Sequence, residues 1–178
     1  ESGRYILTGS STPPKKGVVH SGTGRIASLA MHPMSLFERG ESSGVVSVSD
    51  VCAGKDIGVQ TTKSPSLEEL VAFVVGGGWP GSIGKTPRQA AAIPHEYVET
   101  VIKVDMSKLD GIERDQAKVR KCLRSLARNE STTVALATIR NDIEEVDATS
   151  LSVNTVSEYL DAFRRIYLTN DIEPFSTF

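Results

Sequence analysis

Residues 78–86, Gly78-Trp79-Pro80-Gly81-Ser82-Ile83-Gly84-Lys85-Thr86, have the composition of a phosphate cradle. A Walker A loop sets a glycine, four residues and then Gly-Lys-Thr, so that backbone N–H groups and a lysine surround the phosphates. Here five residues separate Gly78 from Gly84, and Trp79 stands where the glycine belongs. Pro80 removes one N–H, and the run before it reads as a capped helix rather than a buried strand. The spacing predicts a glycine-rich connection with Trp79 docked on the core, not a nucleotide loop.

A second signal lies in Ile6-Leu7-Thr8-Gly9-Ser10-Ser11, which sets small hydroxyls after an apolar, β-prone run. Ligands of open α/β sheets lie beyond the carboxyl ends of strands, where Thr8 and Ser10 would orient a water or phosphate. Ordinary turn chemistry also places polar residues there. Arg25 follows Ser21-Gly22-Thr23-Gly24 and would stabilise a transferring phosphoryl group; a surface salt bridge is the plainer role for such a residue.

Toward the C-terminus, two helical patterns joined by a turn give a helix-turn-helix-like arrangement, the second helix beginning near Leu151-Ser152-Val153-Asn154. Lys118, Lys121, Arg124 and Arg128 crowd the helix before it, and Arg164 and Arg165 lie at the far end of the second. These six are the candidate nucleic-acid contacts. Glu158 and Asp161 on the candidate reading helix repel phosphate, and a solvated basic face is the commoner explanation of such a run. His20, His32 and His95 have no metal-site spacing and no Ser-His-Asp grouping.

Composition bounds what these residues can serve. The 178 residues are 39% hydrophobic and 24% charged, ordinary for a globular chain, with a net charge of −2 that draws it to neither nucleic acid nor anionic lipid. No apolar run approaches the ~20 residues of a membrane span. Cys52 and Cys122 lack redox or metal spacing and suggest a reducing, cytoplasmic compartment; two buried thiols are the default reading, with a disulfide across 70 positions as the unsupported alternative. All 15 glycines fall at or before Gly111, so the front is expected to be turn-rich and strand-bearing and the back helical.

The elements follow from periodicity and caps. Short strands are expected at residues 4–8, 25–31 and 45–48, with one helical turn at 35–39 closed by Gly40. Ser66 and Glu69 have capping-box spacing for a helix over 66–75, with Leu67, Leu70, Val71 and Val74 on its apolar face. Thr86 with Pro87 begins the next helix, in which Pro94 predicts a kink or break. Helices over 115–127, 132–144 and 152–167 complete the chain, turning Val119, Cys122, Leu123 and Leu126, then Leu136, Ile139 and Ile143, then Val153, Val156, Leu160, Phe163 and Tyr167 inward.

With these runs in view, the sequence resembles a family of bacterial and archaeal AAA+-like P-loop ATPases with a C-terminal domain of unknown function. Tyr5-Ile6-Leu7-Thr8-Gly9-Ser10-Ser11, Gly24-Arg25-Ile26, Met31-His32-Pro33-Met34, Gly77-Gly78-Trp79-Pro80, Leu126-Ala127-Arg128-Asn129 and Leu151-Ser152-Val153-Asn154 carry that resemblance in order. It implies that Thr8 and Ser10 end a sensor-1 strand and that Arg25 senses phosphate or reaches a neighbouring subunit. It also implies that the Walker A and B motifs lie upstream, so ATP and Mg would serve the intact parent and no cofactor would belong to this chain. The opening at Glu1 rather than Met fits a fragment.

The combined expectation is an α+β fold, with short strands from the rear of a P-loop ATPase core followed by a mostly helical, winged-helix-like module. Residues 1–65 would end the core, 66–112 form a helical linker region, and 113–178 the winged-helix-like domain. The upstream core segment of the same protein would be its partner, and the fragment would not hydrolyse ATP itself. A DNA- or protein-binding adaptor built on the helical tail is the alternative.

Overall fold

Side chains that cap helix ends determine where most of this chain becomes regular. The computed structural model describes residues 5–10, 24–58 and 64–172. These divide into two units: one is residues 28–99, and the other gathers residues from Thr100 onward together with the described residues before Ser28. The expected boundary after residue 65 falls inside the first unit, and the one after 112 inside the second.

In the first unit, Ser35 and Glu38 bond reciprocally: the Ser35 amide and hydroxyl donate to the Glu38 carboxylate at 2.8 and 2.9 Å. The turn closes at Gly40, whose φ of +77° suits a residue without a side chain. A short helix, α1 (Val48–Cys52), follows. α2 (Leu67–Gly76) starts with a complete capping box. The Glu69 amide donates to the Ser66 hydroxyl and the Ser66 amide to the Glu69 carboxylate. Gly77 ends it at φ +60°. Gly78 then runs so close to Met34 that an added Cβ would lie 2.5 Å from the Met34 carbonyl oxygen. That approach allows the Met34 amide to donate to the Gly78 carbonyl at 2.8 Å.

A single 3-10 turn at Pro80–Ser82 leads to α3 (Pro87–Thr100). Thr86 and Gln89 bond to each other across its first turn. The helix passes through Pro94 without a break, although proline has no N–H for the bond one turn back. Trp79 packs against Tyr97 with ring centroids 4.7 Å apart and planes tilted by 55°. Residues 78–86 are thus a connection seated by its tryptophan, as their spacing predicts.

In the second unit the backbone widens into a π turn at Val101–Asp105 and tightens again as α4 (Met106–Lys108). α5 (Gln116–Arg128) is capped by Asp115, whose carboxylate accepts from the Ala117 and Lys118 amides. α6 (Leu136–Asp147) starts without a side-chain cap and ends at Ala148 in the left-handed conformation. α7 (Val153–Arg165) is capped by the Ser152 hydroxyl. α5, α6 and α7 pack against one another, and the π turn packs on α5. Their shared core holds Val101, Met106, Val119, Cys122, Ile143, Val156 and Phe163, each sealed from solvent. A fully buried side chain of the larger kinds contributes about 1.5–3 kcal/mol through the area removed from water. Inside that layer the Ser125 hydroxyl donates to the Ile139 carbonyl at 3.4 Å, tying α5 to α6.

This architecture overturns the expected α+β class. Among the described residues there is no strand, so neither the rear of a P-loop core nor the hairpin of a winged helix is present. Tyr5, Ile6 and Leu7 are each more than four-fifths exposed, and Leu29 and Met31 likewise. These runs are β-prone, but a strand is stable only when a neighbour takes its backbone bonds and a face is covered. Neither condition is met. At 45–48 the apolar run instead leads into α1.

Candidate functional site

Thr8 and Ser10 lie on an exposed, irregular run, and Arg25 follows a turn at Gly24. No strand end positions any of them. The other candidates sit on α5 and α7, and here the structure adds something the sequence does not display: acidic partners. Arg128 forks onto Asp142, with Nη2 2.7 Å from Oδ2, and also reaches Asp147 at 3.0 Å. Arg124 lies 4.0 Å from the same Asp147. Lys121 donates to the Asp147 carbonyl at 3.1 Å and to the Thr149 hydroxyl. Arg164 pairs with Asp161 and Asp171 at 2.8 and 2.6 Å. Arg165 is 3.7 Å from Asp110. Of the six, Lys118 and Lys121 form no side-chain ion pair among the described residues, and Lys121 bonds only neutral oxygens.

Lys118 instead borders a groove of about 570 Å³ between the segment 110–115 and α7. Its most ordered feature is a bidentate pair: Arg114 donates to both oxygens of Asp110 at 2.9 and 2.7 Å, and also to the Met106 carbonyl at 2.8 Å. The hydrogen bond from Arg114 holds the Asp110 carboxyl below its usual range. Across the groove stand Glu158 and Asp161, so its walls alternate in sign. Burial pushes the nearby Tyr159 hydroxyl upward. The Cys122 thiol, deeper in the same unit, is pushed up to about 11 by burial, which keeps it un-ionised and unreactive at neutral pH. No group of three metal-ligating side chains occurs among the described residues.

The first unit has a smaller cavity of about 280 Å³, bordered by Arg39, Glu41, Phe73, Ser82, Lys85 and Ala90 among others. Arg39 donates through Nη1 to the Gly77 carbonyl and, at 3.1 Å, to the Ser82 hydroxyl. Its guanidinium carbon stands 5.8 Å from the Phe73 ring centroid. Sequence reasoning missed this cluster because Arg39 and Ser82 are 43 positions apart. By contrast, the Asp110–Arg114 pair has i,i+4 spacing and was open to a reading of charge pattern.

A family described as a domain of unknown function, DUF8612, matches residues 67–177, more than half of the chain. The chain belongs to that family. No curated protein and no solved structure matches it. The DUF8612 match runs from α2 through α7, and no P-loop ATPase family matches anywhere, which overturns the resemblance to AAA+-like ATPases. The runs behind that resemblance have simpler physical origins. Gly77-Gly78-Trp79-Pro80 ends one helix and seats a tryptophan, and Leu151-Ser152-Val153-Asn154 is a buried residue followed by a helix cap. Tyr5 to Ser10 is an exposed irregular run outside the DUF8612 match. An upstream ATPase segment as partner, and ATP and Mg as the parent's cofactors, rested on that resemblance alone. No helix among the described residues is long and apolar enough to cross a membrane.

Proposed function

We propose that this DUF8612 chain is an adaptor that binds a protein partner rather than DNA. The observation that carries the reading is the apolar face of α2. The helix has a complete capping box, yet Leu67, Leu70, Val71, Val74 and Val75 are all exposed, from 43% at Leu70 to 82% at Val74. A stable helix that leaves a contiguous apolar stripe in water is the ordinary form of a protein-docking surface. Against DNA stands the internal pairing of the basic candidates: phosphate would have to displace Asp142 and Asp147 from Arg128, and Asp161 and Asp171 from Arg164. Each competition removes part of the counterion-release gain that drives nucleic-acid binding. The free thiols of Cys52 and Cys122 support a reducing, cytoplasmic setting.

Two measurements on the full chain test this. Fluorescence anisotropy with a labelled duplex is expected to show no association even at low salt; affinity that falls steeply as salt rises would establish DNA binding instead. The double variant Leu70→Gln/Val74→Gln is expected to keep its unfolding free energy within about 1 kcal/mol, as for surface positions. A loss of about 3 kcal/mol or more would show these side chains to be core, with no docking face to offer.

A further inference from the structure

Arg39 poses a problem that its own unit does not solve. The side chain is half-buried and, among the described residues, its Nε–H is sealed from solvent with no acceptor while its Nη1 has only a carbonyl and a hydroxyl for partners. No carboxylate among the described residues forms an ion pair with it. A guanidinium has five N–H donors and never loses its proton, so burial without a counter-charge is costly. The Phe73 ring offsets only part of that cost. Arg39 also borders the 280 Å³ cavity, where a second cation, Lys85, forms no ion pair among the described residues and Glu41 is the one carboxylate of the described lining. Two cations against one anion leave the cavity net positive. Its remaining wall is hydrocarbon, from Ala72, Phe73 and Ala90.

We propose that this cavity binds a carboxylate carried on a short apolar group, with Arg39 and Lys85 supplying the counter-charge and Phe73 and Ala90 receiving the hydrocarbon. Arg39 is already oriented, because Gly77 and Ser82 hold it, and Ser82 is in turn fixed by donating its hydroxyl to the Trp79 carbonyl at 2.7 Å. Little side-chain entropy is left to lose on binding. The volume is just under the ~300 Å³ of the smallest ligand pockets, which limits the group to a few carbons. Such a carboxylate belongs either to a free branched-chain acid or to the C-terminus of a peptide ending in a small apolar residue. The site is separate from the α2 stripe, so either assignment stands or falls without the other.

The test is a two-dimensional amide NMR titration of the full chain with three probes: isovalerate, its neutral amide isovaleramide, and acetyl-Ala-Val with a free carboxylate. The expected result is that a carboxylate probe shifts the Arg39, Ser82 and Lys85 amides in a saturable way while isovaleramide does not. Tighter binding of isovalerate assigns a free acid; tighter binding of the dipeptide assigns a chain terminus. Lys85→Ala, an exposed position that leaves the fold intact, is expected to weaken the affinity by about two- to five-fold, the worth of one partly exposed charge. No saturable shift with either carboxylate, equal shifts with the amide, shifts elsewhere in the chain, or an unchanged affinity in Lys85→Ala would each overturn the proposal.

Discussion

Asp110 and Arg114 show how much of this fold's charge is spent on holding itself together. Their side chains are 21% and 10% exposed, and the guanidinium grips both carboxylate oxygens while also bonding the Met106 carbonyl. The Arg114 hydrogen bond lowers the Asp110 pKa in the folded state. A carboxyl whose folded pKa lies below its unfolded value stabilises the fold fully above the unfolded value, about 3.9, and loses that contribution as pH falls through the folded one. Asp142 beside Arg128 and Glu38 beside Ser35 are lowered as well. Urea denaturation is therefore expected to show stability falling as pH drops from about 5 to about 2.5. Asp110→Asn is expected to cost about 1–2 kcal/mol at neutral pH, because Arg114 keeps only carbonyl partners, and to make the acid slope shallower without abolishing it. An acid slope identical to that of the parent chain would show that the pair contributes nothing to folding.

At the scale of elements, the ends of helices separate what the sequence displays from what it hides. α2, α5 and α7 begin within a residue of their expected starts because Ser66, Asp115 and Ser152 do their capping through local bonds that spacing alone reveals. α6 starts at Leu136 rather than Thr132. The Thr132 hydroxyl donates to the Asn129 carbonyl, and Ser131 sits at φ +61°, so this segment is a turn whose polar residues only imitate a cap. The expected strands failed for a different reason: alternation and β-propensity report that a segment is apolar, whereas a ladder also needs a partner. The far end of α6 is where the sequence departs most from local preference. Ala148 adopts φ +48°, ψ +40°, a conformation that costs a residue with a Cβ about 1–2 kcal/mol. Lys121 helps to hold it by bonding the Asp147 carbonyl just before. Ala148→Gly relieves that strain, although glycine adds entropy to the unfolded chain, so a net gain of about 0.5–1 kcal/mol is expected. Calorimetry would register this as a higher melting temperature, by about 2–5 °C for a unit of this size. A lower melting temperature would mean that the left-handed residue carries no strain.

At the scale of the molecule, the two units differ in what they bury. Among the described residues, the first hides only Gly76, Ser82 and Ala90, while the second hides the apolar side chains of four segments, from Val101 to Ile166. That contrast bears on how far a site can be read from sequence. The basic residues of α5 were visible as composition, but their neutralisation was not, because Arg128 meets Asp142 across 14 positions and Asp147 across 19. Pairings of that reach exist only once α5 and α6 have packed. The same contrast predicts dynamics. Backbone hydrogen bonds in α2 have little buried apolar area above them, despite the capping box, since a cap fixes where a helix starts and not how hard it is to open. In α5 and α7, opening exposes Val119, Cys122, Val156 and Phe163 together. Native-state hydrogen exchange is therefore expected to show α2 amides exchanging through local opening, at least about 100-fold faster than the central amides of α5 and α7, which approach the global limit. Equal protection in α2 and α7 would mean that the apolar stripe of α2 is covered in solution, and with it would go the docking surface.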